Sequence, residues 1–180
     1  MRRLGILFGA ITLLAACSRG DAPSLQVPSA DEYAVWAAAV DFGFGAQHLR
    51  VAMEEQTDRM LTTTPAFVAS HRADPELSPG LLDDYVARNR QPARVDARRV
   101  RGRRVTLLPQ LGGLAGSAVR LAASGRLVVS RVGFDRGGNR ALVTVAYWCD
   151  GMCGEGAMLV MERGSDGRWR RTATVMHSYS

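Results

Sequence analysis

The last third of this 180-residue chain admits few folds. Four segments, "RLVVSRVGF", "RALVTVAYW", "AMLVMER" and "RWRRTATVM", are rich in Val, Leu, Thr and aromatic residues, the composition of β-strands. They are joined by Asp135-Arg136-Gly137-Gly138-Asn139, by the loop holding Cys149 and Cys153, and by Ser165-Asp166-Gly167. Gly, Asn and Asp tolerate the positive φ of tight hairpins, and connections this short make sequential strands antiparallel neighbours. The segment from Arg126 onward is therefore predicted to be an antiparallel meander. In its last strand Trp169, Ala173 and Val175 are expected on one buried face, opposite Arg168, Arg170, Thr172 and Thr174.

Such a sheet needs a cover, and the first half supplies helical patterns. Ser29 or Asp31 can cap a helix whose apolar face carries Tyr33, Val35, Trp36, Ala39, Val40 and Phe42, ended by Phe42-Gly43-Phe44-Gly45. Ser78-Pro79 opens a second helix with Leu81, Leu82, Tyr85 and Val86 as its stripe, running to about Arg90 before Pro92. Between them, Leu49, Val51 and Met53 alternate within His48–Thr57, which reads as a strand or as a continuing helix; His71 falls in a polar loop. The expectation is an α+β domain over residues 31–180: N-terminal helices packed on one face of a C-terminal antiparallel meander, the other face meeting water or a cavity.

Residues 1–30 are built differently. Arg2 and Arg3 precede an uncharged, mostly apolar run from Leu4 to Ala16, too short to span a bilayer but suited to a signal-peptide core. It ends in Leu14-Ala15-Ala16-Cys17, which resembles the lipobox of bacterial lipoproteins. That resemblance implies a signal peptide over residues 1–16 and a mature chain starting at Cys17, with acyl chains such as palmitate on its sulfur and amine. Two or more chains hold stably in a membrane. Ser18 follows the cysteine where Asp would favour inner-membrane retention, so the outer membrane of a bacterial envelope, facing the periplasm, is the expected address. Residues 17–30 then form the lipidated cysteine and a polar, proline-containing tether.

The compartment bears on the other two cysteines. With Cys17 acylated, Cys149 and Cys153 make an even pair in an oxidising space, and a disulfide is the default reading. The alternatives are a copper-binding or thiol-redox accessory built on Cys149, Cys153 and His177, with Met152, Met158, Met161 and Met176 as soft donors. Redox work is disfavoured by the adjacent carboxylates Asp150 and Glu155, and Met158 and Met161 point to opposite faces of a regular strand, so both cannot join one site.

Catalytic signatures are not found: there is no G-x-S-x-G, no H-E-x-x-H and no phosphate-binding glycine loop, and His48, His71 and His177 are scattered. Glu54-Glu55 and Asp83-Asp84 read as solvated surface. No catalytic residue and no cofactor is assigned. All 23 basic residues are arginine, and six of them crowd between Arg94 and Arg104, which reads as a solvated loop or charged edge strand, with an anionic-surface patch as the alternative. The formal charge of +6 falls by two with the leader, and the envelope address disfavours nucleic acid.

The stretch "SRVGFDRGGNRALVTVAYWCDGMCGEG", followed by "MLVMERGSDGRW", is similar to a family of bacterial secreted proteins and lipoproteins to which no activity is assigned. "YAVWAAAVDF" and "LDDYVARNR" are similar to that family's first helices. Asp150 stands where the family has Gly, and Ala157-Met158 where aromatics are common. The expected function is thus a membrane-anchored, non-enzymatic module that binds another protein or a small apolar ligand against its sheet.

Overall fold

The computed structural model describes residues 25–41, 49–58, 64–101, 105–109, 125–148 and 154–179. The leader, Cys17, the Phe42–Gly45 stop, Arg103, Arg104 and the Cys149/Cys153 pair lie outside the described residues. Helix α1 spans Ala30–Val40 and opens with a capping box: Ser29 Oγ accepts from the Glu32 N–H, and Glu32 returns a carboxylate oxygen to the Ser29 N–H. Strand β1 (Leu49–Met53) follows, then α2 (Pro65–His71) and α3 (Pro79–Arg88). A 3₁₀ turn (Ala97–Arg99) leads to β2 (Val105–Pro109). The remaining strands are β3 (Arg126–Val129), β4 (Gly133–Phe134), β5 (Arg140–Trp148), β6 (Gly154–Arg163) and β7 (Trp169–Tyr179).

The fold is α+β, and β3 to β7 form the expected antiparallel meander. The sheet is larger than the meander. Its order is β2-β1-β3-β5-β6-β7, with β4 paired to β5, and β1 runs parallel to both β2 and β3. The alternation at Leu49, Val51 and Met53 therefore marks a strand. Gly138 and Gly167 take φ of +67° and +75° in the hairpin turns. Nothing crowds a Cβ at Gly167, so Gly167→Ala should cost only the left-handed backbone penalty, about 1 kcal/mol in equilibrium unfolding. In the same turn Asp166 is held below its usual carboxylate range by hydrogen bonding to Arg170, then by the Arg168 backbone N–H.

Covering the sheet on one face alone is the first expectation the structure corrects. Six consecutive residues of β5, 141–146, are buried, which an alternating one-faced strand cannot achieve. Tyr33, Val35, Trp36, Ala39 and Val40 of α1 pack with Val143, Val145, Leu159 and Met161 on one face. Leu81, Leu82 and Tyr85 of α3 pack with Leu142, Met158 and Val160 on the other. Met158 and Met161 accordingly face opposite ways, each fully buried as core filler.

The second correction concerns β7. Its pairing slips between Met158/Leu159 and again between Val160/Met161, so Thr172 and Val175 are extra residues in the ladder. Each extra residue inverts the alternation beyond it. Trp169 is thereby left with the α1 cluster, whereas Ala173 and Val175 pack against the α3 cluster. The third correction is that "RLVVSRVGF" is not one strand but breaks at residues 130–132, between β3 and β4.

Candidate functional site

Among the described residues, Glu32, Asn89, Ser130, Arg131 and Thr144, five of the six buried polar side chains, gather at the break in that strand. Arg131 donates from Nε to Glu32 Oε1 at 2.7 Å and from Nη2 to Oε2 at 3.2 Å. The Glu32 and Arg131 side chains are only 1% and 8% exposed, so this two-pronged pair is shut away from water. Asn89, at the end of α3, accepts from the Arg131 N–H at 2.8 Å and donates to the Arg131 and Tyr85 carbonyls. Ser130 donates its hydroxyl to the Arg131 carbonyl, and its Oγ accepts from the Thr144 N–H. The Trp36 indole N–H donates to the Ser130 carbonyl at 2.9 Å, while Tyr85 Oη and Thr144 Oγ1 lie 2.8 Å apart.

The next two residues seat the same corner on α3. A Cβ built on Gly133 would lie 2.5 Å from the Tyr85 backbone, so the helix and the strand meet where only hydrogen fits. The Phe134 N–H then donates to Asp84 Oδ2 at 2.7 Å. The stretch Ser130–Phe134, singled out in the sequence by resemblance, thus ties α1, α3 and the sheet together, with its partners in "DEYAVW" and "LDDYVARN". Among the described residues no fully buried side-chain nitrogen or oxygen of this network lacks a partner, so it works as a clasp.

Of the adjacent acidic pairs expected at the surface, Asp83 fits, bridging to Arg72 in water at 3.0 Å. Asp84 does not: it is half-buried and shared between Arg88 and the Phe134 N–H. Glu54, which also has little exposure, pairs with Arg126. His71 closes α2 rather than lying in a loop. Its ring stacks on Phe67 at 4.0 Å, and Nδ1 sits 3.0 Å from the Phe67 carbonyl and 2.9 Å from Ser70 Oγ. That serine–histidine contact sits on one exposed helical turn and serves the last carbonyls of a short helix. The helix itself was announced by Thr64-Pro65, the same cap-and-proline start as Ser78-Pro79.

The backbone of His177 pairs with Ala157 in the β6–β7 ladder. Among the described residues no three His, Cys, Asp or Glu side chains gather as metal ligands, and both cysteines of the pair stand outside those residues. The arginine run is solvated, as read: Arg94, Arg98, Arg99 and Arg101 are exposed, while Val95, Ala97 and Val100 between them are driven into the α1 cluster.

Two open grooves flank this frame. One, of about 410 Å³, lies between the incoming chain at Val27 and Pro28, Tyr33 of α1, and the segment from Arg94 to Arg98. The other, of about 780 Å³, opens between α2 and α3 on the opposite face of the sheet, lined by Val68, Ala69 and Val86 with the Arg72–Asp83 pair and Arg90 at its polar side. No known protein family, curated protein or solved structure matches the chain.

Proposed function

We propose that this chain is a lipid-anchored protein of the bacterial envelope, held through Cys17 in the outer membrane and facing the periplasm, whose α+β domain serves as a binding module. The observation that carries the reading is the order of features at the N-terminus: Arg2-Arg3, an apolar run and Leu14-Ala15-Ala16-Cys17. A ligand bed on the bare sheet is not open, because the middle of the sheet is covered on both faces. The α2–α3 groove is the better seat for a protein segment or a small apolar molecule: Val68 and Val86 are half-buried there and continuous with the core beneath.

The reading includes a Cys149–Cys153 disulfide. The β5–β6 register runs without a shift from Arg140↔Glu162 to Trp148↔Gly154, and the next residues in line are Cys149 and Cys153. A ring this small contributes roughly 2 kcal/mol on the chain-entropy estimate.

One mass measurement on protein extracted from membranes of the producing bacterium tests both parts. The mature chain should begin at Cys17 and carry acyl mass there. Cys17→Ser should abolish palmitate labelling. Cys149 and Cys153 should resist alkylation until a reductant is added. Acyl-free protein would sink the anchor; thiols that alkylate at once, or a bound copper, would sink the disulfide.

A further inference from the structure

The incoming chain is fastened to the start of the arginine run. Gln26 N–H donates to the Pro92 carbonyl, and Arg94 N–H donates to the Gln26 carbonyl at 3.0 Å. Gln26 stands nine positions after Cys17, so the acylated end can lie at most about 30 Å away. Within that reach the surface is rich in guanidinium groups. Arg94 and Arg98 border the groove beside Val27, which is 82% exposed. Arg99 lies over the Tyr33 ring at 3.8 Å, and Arg101 lines a further groove with Ala34, Ala38, Asp41 and Arg168. Among the described residues Arg94, Arg98 and Arg101 have no ion-pair partner. The acidic groups lining these two grooves are Glu55, Asp96 and Asp41, against the arginines Arg94, Arg98, Arg101, Arg168 and Arg170. On the opposite face of the sheet, Arg72 is already paired with Asp83.

We infer that this arginine ridge is the membrane-facing surface of the domain, seated on the anionic lipid headgroups of the leaflet that holds the anchor, with Val27 entering the interface. The inference rests on the proposed acylation of Cys17 and adds an orientation to it. An anchor alone leaves a domain free to tumble on its tether. A basic patch beside the tether's exit adds an attraction that acts within about 8 Å at physiological salt, and so selects one face. The α2–α3 groove, on the far side of the sheet, is then turned toward the aqueous space.

The test reads guanidinium accessibility directly. The membrane-extracted protein is reconstituted into vesicles of phosphatidylcholine, or of phosphatidylcholine with one third phosphatidylglycerol, and labelled with phenylglyoxal; peptides are then quantified by mass. Labelling of Arg94, Arg98 and Arg101 should slow about fivefold or more with the anionic lipid, as expected for charges held near such a surface. The effect should vanish in about 1 M salt, where screening is complete within about 3 Å. Arg72 should label equally in both vesicles. Equal rates at the ridge, or equal slowing of Arg72, overturns the inference. If the mass shows no acyl chain, the anchor reading fails by itself, and the same protein is then floated with preformed vesicles. Salt-sensitive flotation with the anionic vesicles alone sustains the ridge; none overturns it.

Discussion

Arg131→Met is expected to lower the unfolding free energy by about 3–5 kcal/mol, the cost of leaving a buried charge without its partner. Glu32 would keep its bond from the Ser29 N–H and a long contact from the Val132 N–H, but no cation would remain to balance it. Water cannot enter to help without opening the α1–sheet contact, because the carboxylate is almost fully enclosed. Adding Glu32→Gln to that variant removes the charge while keeping an acceptor for the helix cap, and should restore more than half of the loss. The asymmetry between single and double variants distinguishes a clasp from an ordinary surface pair, for which about 0–1 kcal/mol is usual. Urea unfolding of both variants beside Arg98→Met checks it. A loss for Arg131→Met no greater than for Arg98→Met would show that the pair holds nothing.

Gly133→Ala should be nearly as costly, about 3 kcal/mol or more, at the upper end of what overpacking usually does. The added methyl would meet the N, Cα and Cβ of Tyr85 at 2.5 Å, and backbone cannot rotate away as a flexible side chain can. α3 would have to lift from β4, breaking the Asp84 bond to the Phe134 N–H and disturbing Asn89 on Arg131. Gly80→Ala is the matched control. It lies in the first turn of α3 with nothing within 4 Å of the new atom, so it should be neutral or stabilise by up to about 1 kcal/mol. Thermal unfolding should therefore fall for Gly133→Ala and stay level or rise for Gly80→Ala. A Gly133→Ala protein that melts with the parent would show that the helix–strand contact is looser than described.

Much of the fold was legible locally. Cap residues and proline starts placed α1 and α3, and valine-rich alternation with Asp-Gly and Gly-Gly turns placed the hairpins, because those signals act over four to ten residues. α2 was missed although Thr64-Pro65 carries the same start signal as Ser78-Pro79; its seven residues give too few turns for a stripe to show. The parallel pairing of β1 with β2 and β3 joins segments some fifty or more residues apart, and no local pattern encodes such a choice. The candidate site was half legible. Ser130–Phe134 stood out as a motif, yet nothing near it in sequence shows that Glu32, Trp36, Asp84, Tyr85 and Asn89 are its partners.

What the sequence by itself determined is the class of fold, the meander and the two longer helices, since each depends on short-range backbone preference. What only the tertiary structure decided is which face each strand buries, where β7 changes sides, and that an arginine and a glutamate nearly a hundred positions apart close on each other. Those outcomes depend on bulges and on the meeting of distant surfaces. They are settled by packing and by the demand that every buried polar group find a partner, and neither condition exists until the chain has folded.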